Sequence, residues 1–115
     1  MQIKGTPWGG WQIVAEGKGY RVKLLTILPG QRFSLQKHLH RTEDWHIVSS
    51  RGIATRGSID FNLVAGDDFH VPLGVKHRLK NSGHMDMLVV EIQRGEKLDE
   101  KDIERIEDDY GRSSS

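Results

Sequence analysis

Histidine and carboxylate side chains concentrate in one short stretch of the chain, QKHLHRTEDWH. In a β-strand alternate residues face the same side, so we expect Gln36, His38 and His40 to project together. On the following strand the same alternation turns Glu43 towards the interior with the apolar side chain of Trp45. A buried carboxylate needs a partner, and a metal ion is an obvious one. This stretch therefore favours a metal site.

A further candidate ligand, His77, follows a loop in the stretch GDDFHVPLGVKHRLKN. The defined positions are Gly66, Pro72, Gly74, His77 and Asn81. The glycine and the proline before His77 favour a tight turn that presents this histidine at the start of a strand. The chain has no cysteine, so nitrogen and oxygen atoms must hold any metal ion. Such ligands suit zinc best, although Mn, Fe, Co and Ni also tolerate them.

The elements that must position these side chains are short β-strands. Strand-like runs separated by glycine, proline and Asx pairs are typical of an all-β sandwich or barrel. The predicted strands are WQIVA, YRVKLLTIL, RFSLQKHLH, DWHIVSS, GIATR, IDFNLV, DFHVP, VKHRLKN and MDMLVVEIQ.

The pattern changes towards the C-terminus. Asp99 can cap a helix in which Ile103, Ile106 and Tyr110 fall at i, i+3 and i+7 and form one apolar stripe. We therefore predict a short C-terminal helix over about residues 99–110, lying against the barrel.

Length and charge limit the classes of protein to which the chain can belong. The 115 residues suffice for one domain, which we expect to span residues 1–115 with a core at about 6–95. The 17 basic and 16 acidic side chains are scattered, which argues against a nucleic-acid or membrane partner. The start MQIKGTPWGG does not look like a secretory signal, and no apolar run approaches the roughly 20 residues that span a bilayer. We expect a cytoplasmic protein.

The two clusters resemble the two motifs of the cupin superfamily. The second cluster matches the second cupin motif at every defined position, and the first motif can be laid on Gly30 with Gln36 in place of its first histidine and Ser50 in place of its closing glycine. The resemblance implies an all-β, single-domain double-stranded β-helix, or jelly-roll barrel. It also implies a ligand set of Gln36, His38, Glu43 and His77. An alternative alignment of the first motif uses His38 and His40 as its two histidines, so His40 is the alternate ligand.

Longer stretches resemble the C-terminal isomerase domain of type II mannose-6-phosphate isomerases, which also carry a mannose-1-phosphate guanylyltransferase. They include YRVKLLTILPG, SLQKHLHRTEDW, VPLGVKHRLKN and VVEIQRGEKLDEKDIERIEDDYGR, and together they cover about residues 6–112. The resemblance implies a divalent metal and a sugar phosphate as ligand, with mannose 6-phosphate and fructose 6-phosphate interconverted. The guanylyltransferase half is absent, so we do not expect that activity.

Such an isomerisation requires an electrophile, a base and cations for the phosphate. A metal can polarise the carbonyl group, His40 is the first candidate for the base, and Glu91 is the second. Arg41 is expected to orient the substrate or to stabilise the enediolate. Arg78 is as easily explained as part of a solvated strand edge as by phosphate binding, and Lys23 is a weaker candidate still.

Other functions remain compatible with a cupin barrel. The same fold hosts epimerases and dioxygenases, and a non-catalytic sugar-binding cupin is a further alternative. Trp8 and Trp11 could pack in the core or lie at an oligomer interface, and we expect a homodimer.

Overall fold

The computed structural model describes residues 3–112, so the first two and the last three residues of the predicted domain lie outside the described residues. The described chain consists of strands joined by turns and loops. Within this part no helix is long and apolar enough to cross a membrane. The strands are β1 Ile3–Thr6, β2 Gly9–Gly17, β3 Tyr20–Ile27, β4 Leu35–Lys37, β5 Thr42–Ile47, β6 Arg51–Arg56, β7 Ile59–Val64, β8 Asp68–Val71, β9 His77–Asn81, β10 Met87–Arg94 and β11 Glu104–Glu107.

The strands form two antiparallel sheets. One sheet has the order β1-β2-β3-β10-β5-β8, and the other has the order β11-β4-β9-β6-β7. Strand alternation decides which side chains enter the space between them: Glu43 and Trp45 of β5 are buried, whereas His46 is exposed. The predicted all-β architecture is confirmed, and so is the inward direction of Glu43.

Aromatic rings fill the centre of the barrel. The ring of Phe33 meets the rings of Trp8 and Trp45 edge-on, each at a centroid distance of 5.7 Å. On its other side Trp45 stacks on Phe69 at 5.5 Å. Trp8 and Trp45 are thus core residues, and Trp11 packs against the core from a partly buried position.

The stretch RFSLQKHLH forms less strand than predicted. Only Leu35–Lys37 is a strand, with an isolated bridge between Arg32 and Lys80 before it. After Lys37 the chain leaves the sheet because the Asp102 carboxylate accepts the backbone N–H groups of Leu39 and His40, at 3.0 and 2.9 Å. The alternation therefore breaks, and His40 is exposed while His38 is buried. The prediction that these two histidines share a face is wrong.

The predicted C-terminal helix is also wrong. The Asp99 carboxylate does accept a backbone N–H, that of Lys101 at 2.9 Å, but this bond closes only a turn. The chain then forms β11, which pairs antiparallel with β4. Without β11, β4 would be left as an edge with unpaired backbone groups, so strand pairing outweighs the helical spacing. Ile106, a member of the supposed apolar stripe, is exposed.

Candidate metal centre

Three of the predicted ligands come together inside the barrel. Potential ligand atoms of His38, Glu43 and His77 all lie within 4.8 Å of one another, and all three residues are buried. The Glu43 carboxylate lies between the two imidazoles, with Oε2 3.2 Å from His38 Nε2 and Oε1 3.6 Å from His77 Nε2. His38 follows β4 and His77 begins β9 of one sheet, whereas Glu43 belongs to β5 of the other. The cluster therefore joins the two sheets.

The hydrogen bonds of the two histidines decide their tautomers. His77 Nδ1 lies 3.0 Å from the backbone oxygen of Val75, and His38 Nδ1 contacts the backbone oxygen of Asp102. A carbonyl oxygen only accepts, so each Nδ1 carries the proton and each Nε2 presents a lone pair. His77 Nε2 is buried and has no hydrogen-bond partner. A metal ion would satisfy this lone pair, and backbone bonds at Nδ1 are typical of metal-binding histidines.

The turn before His77 has the geometry that its sequence predicts. Gly74 has a φ of 73°, a left-handed conformation that favours glycine. Its N–H donates to the backbone oxygen of His38 at 2.9 Å. This hydrogen bond therefore holds the turn before His77 against the backbone of His38.

The charges in the cluster favour an anionic carboxylate at Glu43. Burial alone would raise the pKa of Glu43, but the neighbouring His77, His38 and the Arg41 guanidinium hold that pKa well below its usual range. Burial lowers the pKa of His77 in spite of the carboxylate beside it. The cluster thus presents one negative charge and two nitrogen lone pairs to a cation.

Arg41 lies against this cluster and is itself buried. Its Nε and Nη2 atoms are each 2.9 Å from Glu43 Oε2, and Nη2 is 3.1 Å from His38 Nε2. Burial works to lower the pKa of Arg41, but the carboxylates of Glu43 and Glu91 raise it overall. On the other side of the carboxylate, Trp45 Nε1 donates to Glu43 Oε1 at 3.1 Å. Arg41 and Trp45 together fix the orientation of Glu43.

A cavity opens beside the cluster and collects most of the predicted site residues. Gln36, Arg41, Glu43 and Glu91 all line it, whereas the exposed His40 does not. Further charged side chains in its lining are Lys23, Glu100, Arg105 and Arg112. Aromatic side chains form another part of its wall, namely those of Trp8, Trp11 and Phe33.

Glu91 is the second carboxylate of the cavity. It lies on β10 and is buried, and Gln93 Nε2 donates to its Oε1 at 2.7 Å. Burial and the nearby Glu43 carboxylate raise the pKa of Glu91 to about 8. A carboxyl group in this state is mostly protonated at neutral pH and can still lose its proton.

Lys23 is a cavity residue that sequence reasoning ranked too low. Its exposed fraction is 4%, and its Nζ lies 3.7 Å from the Trp11 ring centroid and 2.7 Å from Glu100 Oε1. The sequence pattern does indicate that Lys23 faces inwards, because it lies on the same side of β3 as the buried residues Leu25 and Ile27. Arg105, on β11, and Arg112, which follows that strand, are cavity residues that the sequence did not indicate, because it predicted a helix for this segment.

Arg78 points away from the cavity, as its alternation with His77 predicts. It is buried, so its interpretation as part of a solvated strand edge is wrong. The guanidinium donates to the backbone oxygen of Phe33 at 3.0 Å and to the side chain and backbone of Glu107 at 2.9 and 3.0 Å. Strand β9 has a neighbouring strand on each side, so it is not an edge strand. Arg78 connects β9 to β11 of the same sheet through Glu107.

Proteins of known sequence resemble this chain along nearly its whole length. It is 43% identical over 107 residues to the xanthan biosynthesis protein XanB of Xanthomonas campestris pv. campestris. It is 41% identical over 108 residues to the alginate biosynthesis protein AlgA of Pseudomonas aeruginosa and 40% identical over 106 residues to a mannose-1-phosphate guanylyltransferase of Klebsiella pneumoniae. These matches cover 92–94% of this chain but only 22–23% of each relative.

Solved structures share the barrel. The cupin domain of Schizosaccharomyces pombe Cnp3 superposes with a TM-score of 0.73 at 15% identity, over 80% of this chain and 68% of that chain. The capsular polysaccharide assembling protein CapF of Staphylococcus aureus gives a TM-score of 0.78 at 19% identity, over 92% of this chain and 34% of that one. These likenesses confirm the cupin fold. Residues 3–108 match the family described as mannose-6-phosphate isomerase C-terminal, and the chain therefore belongs to this family of cupin domains.

Proposed function

We propose that this chain is a metal-dependent aldose-ketose isomerase that interconverts mannose 6-phosphate and fructose 6-phosphate. The observation that carries the proposal is the buried cluster of His38, Glu43 and His77, of which Glu43 lines a cavity that also holds an acid-base group and several cations. Family membership supports the choice of reaction. The chain spans less than a quarter of the length of its curated relatives, so their whole activities do not transfer to it.

His38, Glu43 and His77 would hold a divalent ion, with Gln36 as the fourth ligand. The unsatisfied Nε2 of His77 and the anionic Glu43 support this assignment. When bound, the ion would polarise the carbonyl and hydroxyl oxygens of the substrate as a Lewis acid. Zinc is our first choice, because it favours nitrogen and oxygen ligands in this number.

Glu91 is the acid-base group that we propose for moving the proton between neighbouring carbons. The reaction needs a group that both takes and returns a proton near neutral pH, and a carboxyl with a pKa of about 8 meets this need. Gln93 holds the carboxyl in place through its bond at 2.7 Å. The exposure of His40 makes it the second candidate.

Arg41 is the residue that we propose for orienting the reacting end of the substrate. It lies beside both the metal ligands and Glu91, and a guanidinium can donate two parallel hydrogen bonds to neighbouring oxygens. The same charge favours the negative oxygens that develop as the proton leaves carbon.

Metal analysis combined with a coupled assay tests the proposed function. We expect one divalent ion per chain by mass spectrometry and chelator-sensitive formation of fructose 6-phosphate from mannose 6-phosphate. Glu91→Gln should lower kcat by about 100-fold or more with the metal retained, because general acid-base groups contribute roughly that much. His70→Ala is the control, since His70 is exposed and pairs with Asp44 outside the cavity.

Two outcomes would contradict parts of this proposal. A loss of turnover in His40→Ala with full activity in Glu91→Gln would reverse the choice of base. Stoichiometric metal and tight binding of mannose 6-phosphate without turnover would instead indicate a non-catalytic sugar-phosphate-binding cupin.

A further inference from the structure

We infer that Arg105 and Arg112, both from the C-terminal segment, form an anion site that binds the phosphate group of the sugar phosphate. The inference rests on the proposed function for the identity of the ligand. The site itself is argued from the register of the strands and from the charges in the cavity wall.

The strand register aligns Arg105 with the metal cluster. Arg105 of β11 is the partner of Gln36 of β4, and Gln36 is the partner of His77 of β9. Cross-strand partners point to the same face of a sheet, so all three side chains face the barrel interior. Two strand spacings, roughly 10 Å, separate the Arg105 backbone from that of His77. An extended six-carbon sugar chain with a terminal phosphate can bridge such a span between a metal and a guanidinium.

A β-bulge directly follows Arg105. The pairing of β11 with β4 shifts register between Arg105 and Glu107, so one extra residue stands on the C-terminal strand. Bulges redirect side chains and are common beside active sites. The bulge leaves Arg105 in the cavity lining while Glu107 bonds to Arg78 outside the cavity.

Arg112 stands next to Arg105 and is held in place. Its Nε lies 2.9 Å from Asp108 Oδ2, and its backbone N–H donates to the same oxygen at 2.6 Å. The Asp108 side chain has no solvent-exposed surface, so water does not compete for this ion pair at the carboxylate. Burial, followed by the nearness of Arg112, lowers the pKa of Arg105. Asp108 compensates only part of the charge of these two arginines, and a further anion in the cavity would stabilise both of them.

The overall charge of the cavity points to the same ligand. Its cations are Lys23, Arg41, Arg105 and Arg112, and its carboxylates are Glu43, Glu91 and Glu100. Four cations therefore face three carboxylates, which leaves an excess of positive charge in the cavity wall. A phosphate monoester carries a charge of about −1.5 to −2 at this pH and would neutralise the excess.

Arg41, Lys23 and Arg78 each have a carboxylate partner, as Arg112 has in Asp108. Arg41 bonds to Glu43 and His38 in the cluster, and Lys23 forms an ion pair with Glu100. The three donor groups of Arg78 bond to Phe33 and Glu107 outside the cavity. Position is what distinguishes the arginines of the C-terminal segment: Arg105 lies in the cavity wall two strands from His77, whereas Arg41 contacts the metal ligands at the reacting end.

Calorimetric titrations with mannose 6-phosphate and with unphosphorylated mannose separate the phosphate contribution from sugar binding. Arg105→Ala should weaken binding of mannose 6-phosphate about 10- to 100-fold, the range of one or two charge-assisted hydrogen bonds. It should leave metal content and mannose binding unchanged. Arg105→Lys should recover part of the loss, because lysine keeps the positive charge but cannot donate two parallel hydrogen bonds as a guanidinium does. Arg112→Ala should act in the same direction.

Arg94→Ala is the matched control, because Arg94 is an exposed arginine at the end of β10 and outside the cavity lining. Urea denaturation of each variant shows whether β11 still folds. Unchanged binding of mannose 6-phosphate in Arg105→Ala, or an equal loss for mannose and its phosphate, would overturn the site. So would the absence of any phosphate-dependent affinity in the unaltered protein.

The failure of the site and the failure of the proposed function can be told apart. Phosphate-dependent binding that requires Arg105, without turnover in any variant, would leave the anion site standing and reject the isomerase. Turnover with an unchanged KM in Arg105→Ala would keep the isomerase and reject the anion site.

Discussion

At the scale of single residues, the centre depends on how one buried carboxylate is held. Both oxygens of Glu43 accept hydrogen bonds from the protein, Oε2 from Arg41 and Oε1 from Trp45. The same two oxygens lie 3.2 Å from His38 Nε2 and 3.6 Å from His77 Nε2, respectively. A carboxylate fixed in this way keeps its position with or without a cation. Residues that only orient Glu43 should therefore affect metal affinity.

Trp45→Phe tests this orientation. The substitution retains an aromatic ring in the core but removes the indole N–H that bonds to Glu43 Oε1 at 3.1 Å. We expect metal affinity to fall about 10- to 100-fold, the usual effect of losing an outer partner of a ligand. Trp8→Phe is the control, since Trp8 is also a buried core indole but makes no hydrogen bond to Glu43. Equal metal affinity in both variants, measured by competition with a chelating dye, would argue against the role of Trp45.

Asn81, the last position of the second motif, should matter for stability rather than for metal binding. Its amide nitrogen donates to the backbone oxygens of Ile27 and Met85, both at 2.8 Å, and its side chain is fully buried. Asn81→Ala leaves buried acceptors unsatisfied and should lower the free energy of unfolding by about 2–4 kcal/mol. Urea denaturation measures this, with the exposed Asn62→Ala as control. Full stability with lost metal would contradict the structural role.

At the scale of elements, the C-terminal segment is fastened by ion pairs. Glu107 bonds to Arg78, and Asp109 forms two hydrogen bonds with Arg32 at 2.7 and 2.8 Å. Hydrogen bonding to Arg78 lowers the pKa of Glu107, and hydrogen bonding to Arg32 lowers that of Asp109. Lys80 also lowers the pKa of Asp109. The attachment of this segment should therefore depend on pH.

The sign of this dependence follows from the lowered pKa values. In acid the detached segment binds more protons than the attached one, so the attachment is complete at neutral pH and weakens as the pH falls below about 4.5, the usual value for glutamate. Hydrogen exchange of the backbone of β11 at pH 7 and pH 4 measures it. Glu107→Gln with Asp109→Asn should reduce the dependence and leave the part due to Asp102 and Asp108, whose pKa values are also lowered, whereas Glu96→Gln, at an exposed position, should not change it. Equal protection at both pH values would contradict the prediction.

At the scale of the whole molecule, a bound ion would act as a cross-link. Glu43 belongs to the six-stranded sheet, whereas His38 and His77 lie on or beside strands of the five-stranded sheet. Metal binding should therefore stabilise the complete barrel rather than one loop.

Thermal unfolding with and without metal checks this cross-link. At a free metal concentration of 100 times Kd the gain is about 2.7 kcal/mol, which for a chain of this size raises Tm on the order of 10 °C. A chelator should reverse the rise. Glu43→Gln should abolish it, and His70→Ala should preserve it. An unchanged Tm at saturating zinc, together with no zinc retained after dialysis, would contradict the proposed centre.

The expected homodimer stays a prediction. Exposed apolar residues occur on the N-terminal strands, among them Ile3 and Val14, and β1 lies at the edge of its sheet. Sedimentation velocity of the unaltered protein and of Ile3→Lys measures the oligomeric state. A monomer at all concentrations would exclude the dimer.

Local patterns in the sequence were sufficient to predict the strand-rich architecture and three members of the cluster. Period-two alternation directs Glu43 inwards, and the turn at Gly74 presents His77, because both signals are local and depend on backbone geometry alone. The spacing of the two motifs added His38. These signals needed no knowledge of distant parts of the chain.

The positions of His40 and of the C-terminal segment depend instead on long-range contacts. His40 leaves the strand because Asp102, 62 residues later in the chain, accepts its backbone N–H. The segment of Arg105 forms a strand because β4 offers it an unpaired edge, although its apolar spacing suits a helix. Both outcomes depend on contacts between residues far apart in the chain, which local periodicity does not report. The cations that we assign to phosphate binding became recognisable only through that long-range pairing.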